Sequence, residues 1–188
     1  MAARGAYAKG IAKREEILDA ALAVIAGSGY RAASVREIAD AVGLSPAGLL
    51  HYFGSKDELF LAILRARDEK DTVAYEREDA MAAFLDVVAH NATVPGLVRL
   101  YAQLAAEAGD EEHPARRFFQ ERTERLEGPF QAVVAAAQAA GRIRADLDPA
   151  WVVRSLHALA DGLQAAWLLD DTVDMPGDIE RFLDLLRS

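Results

Sequence analysis

Three helix starts follow one another closely in the first third of the chain, and they constrain its fold more than any other feature. A serine followed three residues later by a glutamate, the spacing of a capping box, occurs at residues 34–37 and again at 55–58. Between them, Ser45 precedes Pro46, which pairs an N-cap residue with a proline at the first helical position. Gly43 can adopt the left-handed conformation that a tight turn between helices requires. The segment is therefore typical of a helix-turn-helix.

The residues around this segment make the pattern more specific. The run Ile-Ala-x-x-x-Gly-Leu-Ser occupies residues 38–45, and His-Tyr-Phe-x-Ser-Lys-x-x-Leu occupies residues 51–59. An amphipathic helix is predicted upstream, over residues 14–26. Over about the first 65 residues, this combination resembles the TetR (tetracycline-repressor-like) family of bacterial transcription regulators. Leu50 stands where an aromatic residue is common in that family.

The rest of the chain also predicts helices and little else. Apolar residues recur at helical spacing, Pro or Gly separates the apolar segments, and no strand-like alternation occurs. Gly128-Pro129 predicts a kink or break inside a long seventh helix, and the last helix is predicted over residues 178–186. We therefore expect an all-α protein of about nine helices. The resemblance implies a three-helix DNA-binding domain at residues 1–55 and a helical effector-binding and dimerisation domain at residues 56–188.

Acidic residues outnumber basic ones, but not at the N-terminal end. The net charge is −9, whereas residues 1–56 contain seven basic and five acidic residues. The N-terminal segment thus carries +2 and the remainder −11. This distribution favours a small domain that touches phosphate and an acidic body that stays soluble, although random surface charge is an alternative explanation.

Several kinds of site and segment are missing from the sequence. It contains no cysteine, and its four histidines show no pairing at three or four residues' spacing. We therefore expect no metal and no cofactor. There is no apolar signal segment and no apolar run of membrane-spanning length, so we expect a soluble, cytoplasmic protein without a membrane partner.

The resemblance implies that the second helix of the motif enters the major groove of double-stranded DNA. If Leu49 and Phe53 face the domain core, the other positions of that helix lie outward on the helical wheel. Ala47 and Leu50 offer only apolar surface there, and the thymine methyl is the matching feature of the groove. The aromatic pair after them can hydrogen-bond phosphate or a base edge, or can instead pack under the domain. The candidate DNA contacts are Ser34, Arg36, Ser45, Pro46, Ala47, Leu50, His51, Tyr52 and Lys56.

The eighth and last helices contain the candidates for assembly. The eighth helix is apolar on more than one face, and the family's dimers pair the last two helices of each subunit. Reading two DNA half-sites also requires a pair of subunits, so we predict a homodimer. A helix buried inside a monomer is the alternative. The predicted interface residues are Leu156, Leu163, Phe182 and Leu186.

A small hydrophobic or amphipathic effector is the predicted ligand of the C-terminal part. Aromatic and apolar residues of the fifth to eighth helices can line a cavity for it, or can form ordinary core. The candidates are Phe84, Tyr101, Leu104, Phe119, Phe130, His157 and Trp167. His157 lies mid-helix among apolar residues and can orient a ligand. The alternative is a core histidine whose hydrogen bonds are satisfied within the protein.

The sequence offers no sign of catalysis, since it has no Ser/His/Asp constellation, phosphate-binding glycine loop or suggestive pair of acids. The prediction is a ligand-responsive regulator, not an enzyme. It would be a repressor that binds a palindromic operator as a homodimer and is released by its effector. A helical-bundle carrier or enzyme without DNA binding is the alternative. An activator and an architectural DNA-binding protein also stay open.

Overall fold

The computed structural model describes residues 2–28, 34–74 and 79–187, and within the first range it describes the side chains of Lys9 to Gly27. These three ranges contain nine α-helices and no strand. The predicted all-α fold is confirmed. No single helix in these ranges is long and apolar enough to cross a membrane, and only the bent pair of helices Ala80–Asn91 and Pro95–Glu107 has the required length and composition when taken together. The helices are α1 (Ala2–Ser28), α2 (Val35–Ala41), α3 (Pro46–His51), α4 (Lys56–Ala74), α5 (Ala80–Asn91), α6 (Pro95–Glu107), α7 (Pro114–Ala139), α8 (Pro149–Trp167) and α9 (Met175–Leu185).

At each of the three predicted helix starts, a serine hydroxyl caps the backbone of the helix. Two hydrogen bonds of 3.3 and 2.9 Å close the capping box at residues 34–37. Ser45 Oγ accepts from the Gly48 N–H at 3.1 Å, and an equivalent bond of 3.1 Å precedes α4 at residues 55–58. Gly43 has a φ of 67°, in the left-handed region, at the turn between α2 and α3. Local bonds between side chains and backbone therefore define the helix-turn-helix.

Pro129 and Pro176 both lie inside helices, although the sequence predicted a kink or break at Pro129 and a last helix that begins only at residue 178. α7 continues through Pro129 without a break. Pro129 removes the N–H that Arg125 O would accept, but both residues are exposed, so water can satisfy that carbonyl. α9 begins at Met175, upstream of its predicted start, because Asp174 caps it and Pro176 occupies the first turn, where no helical N–H bond is lost.

The first compact unit consists of residues 1–70 and 94–104. This unit therefore includes most of α6, although the whole of α5 lies between α4 and α6 in the sequence. Burying a leucine or isoleucine side chain fully contributes about 1.5–3 kcal/mol, so α6 adds substantially to this core. The buried apolar side chains are Ile17, Ala21, Leu22, Ile25, Ile38, Ala39, Leu49, Phe53, Leu59, Phe60, Leu61, Ala62, Ile63, Leu64, Leu97, Val98, Leu100, Tyr101 and Leu104.

The second compact unit consists of residues 71–93 and 105–188. In its core, α7 packs on α8, and α9 packs on both α5 and α8. A buried amide pair lies within it, where Asn91 Nδ2 of α5 donates to Gln164 Oε1 of α8 at 3.4 Å. The core cluster comprises Val88, Val134, Ala137, Ile143, Val152, Val153, Leu156, Ala160, Met175, Ile179 and Leu186.

Replacement by alanine is expected to change the free energy of unfolding in opposite directions at two glycines. Gly54, between α3 and α4, has a φ of 89°, which a residue with a Cβ adopts only under strain. Gly54→Ala should therefore lower the free energy of unfolding by about 1–2 kcal/mol. Gly128 lies within α7 with open space around its Cα, so Gly128→Ala should raise that free energy by about 0.5–1 kcal/mol. Urea denaturation of both variants checks the pair, and a Gly54→Ala protein as stable as the parent would contradict it.

Candidate nucleic-acid interface

The short helix α3 presents one buried and one open side. Leu49 and Phe53 are buried, as the helical wheel required, while Pro46 and Ala47 are exposed and Leu50 is half-buried. The open side of its first turn is therefore apolar, without a hydrogen-bonding side chain. Such a surface can touch the thymine methyl but cannot read the donor and acceptor pattern of a base edge.

Two of the candidate serines are already engaged in capping. Ser45 Oγ accepts from the backbone of α3, and Ser34 takes part in the box with Glu37. Each hydroxyl keeps its O–H as a donor, so a phosphate contact remains available to both. The exposed Glu37 carboxylate lies beside Ser34, which makes that end of α2 less favourable for phosphate than the start of α3.

His51 and Tyr52, at the C-terminal end of α3, pack against each other and are also partly open to DNA, the two arrangements that the sequence left open. The rings of His51 and Tyr52 meet edge to face, with centroids 6.3 Å apart. His51 is nevertheless exposed and Tyr52 half-buried, so the pair does not close over the core. Both side chains keep polar atoms that can reach a phosphate or a base edge.

The candidate cations lie at two helix starts. Arg36 is exposed in the first turn of α2, and Lys56 is exposed at the first position of α4. The Lys56 Nζ lies 5.4 Å from the centre of the Phe60 ring, a cation–π contact that orients the ammonium. Cations beside free helix N–H groups are suited to phosphate.

Two further basic residues are tied to the helix-turn-helix in a way that the sequence analysis missed. Lys13 Nζ donates to Val42 O at 3.1 Å, and Arg14 Nη1 donates to Tyr52 O at 2.9 Å. The Arg14 guanidinium also lies over the Phe53 ring, 4.4 Å from its centre. The sequence contained one signal for this contact, because Arg14 lies one helical turn before the buried Ile17 and is therefore next to the buried side of α1, although Arg14 itself is exposed.

In the second unit, three of the seven effector candidates come together. The rings of Phe84, Phe130 and His157 form a triangle with centroid distances of 5.6, 6.2 and 5.9 Å. Burial lowers the pKa of His157, and the nearby positive charge of Arg122 lowers it further, against smaller opposing effects of Asp161 and Glu127. His157 is thus neutral at pH 7 and can donate or accept one hydrogen bond.

The other four candidates lie elsewhere. Tyr101 and Leu104 are buried in the first unit. Trp167 is half-buried against the core cluster of the second unit. Phe119 lines an open cleft of about 420 Å³, together with Ala108, Arg116, Gln120, Thr123 and Glu124.

The four interface candidates divide into two pairs. Leu163 and Phe182 are half-buried beside the core cluster. Leu156 and Leu186 are only 1% and 6% exposed, so a partner has almost no surface to cover there, and their assignment to an interface is corrected to subunit core. The large apolar side chains that α8, α9 and the loop between them expose are Trp151, Leu169 and Leu185.

Protonation of His157 is expected to destabilise the second unit. Its pKa is lowered in the folded state, so the unfolded chain takes up the proton first as the pH falls. The free energy of unfolding should therefore decline below about pH 6.5, the ordinary histidine pKa, and be fully retained above it. Urea denaturation at pH 7.5 and at pH 5 should show a smaller loss for His157→Gln than for the parent. Equal losses would contradict this role of His157.

Comparisons with known proteins cover both units. Residues 17–63 match the family model described as "Bacterial regulatory proteins, tetR family". Residues 74–182 match the model described as "Tetracyclin repressor-like, C-terminal domain". The second match alone spans more than half of the chain.

Curated relatives match over part of their length. The transcriptional regulator BetI of Rhizobium meliloti is 38% identical over 88 residues, which is 47% of this chain and 41% of BetI. The repressor AcnR of Corynebacterium diphtheriae is 36% identical over 55% of this chain and 43% of its own. The repressor KstR2 of Rhodococcus jostii is 30% identical over 61% of this chain and 52% of its own. The chain thus spans about half the length of these relatives, or less.

Solved structures match over nearly the whole chain. A TetR transcription regulator from Haloarcula marismortui superimposes with a TM-score of 0.73 at 22% identity, covering 93% of this chain and 96% of that one. A transcriptional regulator from Saccharomonospora viridis, solved in complex with choline, gives a TM-score of 0.69 at 25% identity, covering 91% and 95%.

Proposed function

The chain belongs to the TetR family of bacterial regulatory proteins, and we propose that it is a cytoplasmic, ligand-responsive DNA-binding repressor. The observation that carries this proposal is the open apolar side of α3, held by an N-cap at Ser45 and flanked by the exposed cations Arg36 and Lys56. The curated relatives include named transcriptional repressors, which favours repression over activation.

DNA reading would be divided between two kinds of contact. Ala47, Pro46 and Leu50 would meet base edges in the major groove and favour thymine. His51, Tyr52 and the residues at the helix starts would hold phosphates, which fixes the register without reading sequence. In this scheme, the first compact unit is the reading head, and its DNA contacts lie within residues 34–56.

Assembly would be two-fold. We propose a homodimer in which exposed apolar residues of α8, α9 and their connecting loop, including Leu169 and Leu185, are covered by a second copy. Two-fold symmetry in the protein imposes a near-palindromic operator whose half-sites lie about 34–36 Å apart, one helical turn, or a multiple of that distance.

The effector would be a small hydrophobic or amphipathic molecule bound by the second unit, within residues 56–188. The ring triangle of Phe84, Phe130 and His157 supplies aromatic faces, and the neutral imidazole supplies one directional polar group. A related regulator is solved with choline, whose quaternary ammonium suits aromatic faces, so choline is one compound to screen. Binding would release DNA because the effector prefers a conformation in which the two heads no longer fit both half-sites.

The test joins operator selection to ligand screening. The purified protein is expected to enrich a near-palindromic sequence from a randomised duplex pool and to bind it with an affinity that falls steeply with salt, because phosphate binding releases counterions. A compound that raises the melting temperature should also release the selected duplex. A protein that binds small molecules tightly but enriches no DNA sequence would instead be a carrier.

A further inference from the structure

Two consecutive side chains of α1 reach the carbonyl ends of the two helices that follow it. Lys13 donates to Val42 O, the C-cap residue of α2, and Arg14 donates to Tyr52 O, the C-cap residue of α3. Each cation therefore meets the negative end of a helix dipole and satisfies a carbonyl that the helix leaves open. One turn of α1 thus contacts the C-terminal end of each helix of the helix-turn-helix.

The Arg14 contact is the more specific of the two. Its guanidinium donates to the carbonyl of Tyr52 at 2.9 Å and lies over the Phe53 ring, with Cζ 4.4 Å from the ring centre. Phe53 is itself buried, so the ring under the guanidinium is fixed to the core of the unit. A planar group can make both contacts at once, whereas a lysine ammonium is a point charge on a flexible stem.

The position of these contacts along α3 gives them a functional consequence. Leu50 and His51, two of the proposed DNA contacts, immediately precede Tyr52, whose carbonyl Arg14 holds. α3 is only six residues long, so its direction depends on how its two ends are held. Its first end is held by the Ser45 cap, and its last end is held by Arg14.

We propose that Arg14 is a positioning residue for operator reading, which sets the direction of α3 by joining Tyr52 O and the Phe53 ring to α1. Lys13 serves α2 in the same way through Val42 O, with an ion pair to Glu16 at 2.8 Å holding its ammonium in place. The proposal rests on the proposed DNA-binding function. It assigns to these two cations a role distinct from the phosphate contact that their charge alone suggests.

A phosphate contact and a positioning contact have different signatures in binding. Loss of a phosphate contact weakens binding to every sequence alike and lowers the slope of log affinity against log salt by about one. Loss of a positioning contact weakens only the selected sequence, because sequence-independent binding does not depend on the direction of α3.

The experiment measures both affinities for the full-length protein. The DNAs are a duplex that the parent protein selects from a randomised pool and an unrelated duplex of equal length. Arg14→Lys keeps the charge but not the planar group. It is expected to weaken binding to the selected duplex about tenfold, because a lysine ammonium cannot hold the Tyr52 carbonyl and cover the Phe53 ring at the same time. Binding to the unrelated duplex and its salt slope should not change.

Phe53→Leu provides a second variant that leaves every charge in place. It removes the ring beneath the guanidinium, retains an apolar side chain for the core, and should show the same selective loss. Arg142→Gln removes one exposed positive charge from the second unit and serves as the control, with no change expected on either duplex. Thermal denaturation confirms that each variant is folded at the assay temperature.

Three results would overturn the proposal. Arg14→Lys and Phe53→Leu could both bind the selected duplex as tightly as the parent, which would leave Arg14 without a positioning role. A further variant, Arg14→Gln, removes the charge as well as the planar group. If it weakened both duplexes equally and lowered the salt slope, Arg14 would be a phosphate contact. If the parent protein selected no sequence from the pool, both the regulator function and this role of Arg14 would be refuted. That result is seen with the parent protein alone, whereas the first two results require a parent that does select a sequence.

Discussion

Ala47→Asp is expected to abolish sequence-specific DNA binding, with a loss of about 100-fold or more in affinity for the selected operator. Ala47 is exposed in the first turn of α3, where its methyl group is proposed to meet a base edge. A carboxylate there would approach the phosphates of both strands and would lose its hydration without gaining a partner. Each unfavourable base contact costs about 1–3 kcal/mol, and a dimer carries the change twice.

The matching control is Ala132→Asp. Ala132 is also an exposed alanine in a helix, but in α7 of the second unit, so the change in net charge is the same. Gel shift or fluorescence anisotropy should show a large loss for Ala47→Asp and near-parental affinity for Ala132→Asp. Lys56→Ala should weaken selected and unrelated duplexes alike, as a phosphate contact requires. If Ala47→Asp bound the operator like the parent, α3 would not be the reading helix.

Leu185→Asp is expected to raise the dimer dissociation constant by about 100-fold or more. Leu185 of α9 is 76% exposed in the single subunit, so a partner that covers it would gain about 1.5–3 kcal/mol for each of the two copies. The substitution removes that gain and places two carboxylates in the interface. Because the Leu185 side chain is exposed within its own subunit, the substitution should leave the subunit fold unaffected. The same substitution at Leu163 or Phe182 would place a carboxylate at a half-buried position and could disturb that fold.

Val73→Asp is the control for this experiment, since Val73 is an apolar residue with the same 76% exposure at the end of α4. Light scattering or sedimentation should find the parent and Val73→Asp as dimers, and Leu185→Asp as a monomer, at micromolar concentration. The monomeric variant should also lose affinity for a two-half-site operator while retaining its weak binding to unrelated DNA. A parent that is monomeric and still binds its operator would refute the dimer.

The helix-turn-helix was predictable because its signals are local. Ser34, Ser45 and Gly43 act on backbone groups a few residues away, so their spacing in the sequence already contains the geometry. The role of Arg14 was not predictable with the same ease, because its carbonyl partner lies 38 residues further along the chain. Charge alone suggested phosphate for that residue.

The candidates in the second unit were less predictable for a different reason. An apolar residue on a helix has the same sequence signature whether it faces its own core, a partner or a ligand. Leu156 and Leu186 were assigned to an interface on that signature, and both lie in the subunit core. Phe84, Phe130 and His157 meet only because α5, α7 and α8 pack together, and no local spacing records that arrangement.

The inclusion of residues 94–104 in the first unit has a consequence for the order of events during synthesis. The reading head begins at the N-terminus, yet part of its core, including Leu97 and Leu100, follows α5 in the chain. At translation rates of about 5–20 residues per second, the head waits roughly 2–7 seconds between the completion of residue 70 and that of residue 104. During that interval, the first unit lacks the apolar side chains of residues 94–104, so its core is incomplete and open to water and to chaperones. A ribosome stalled before residue 94 should therefore carry a protease-sensitive head, and one stalled well beyond residue 104 a protected one.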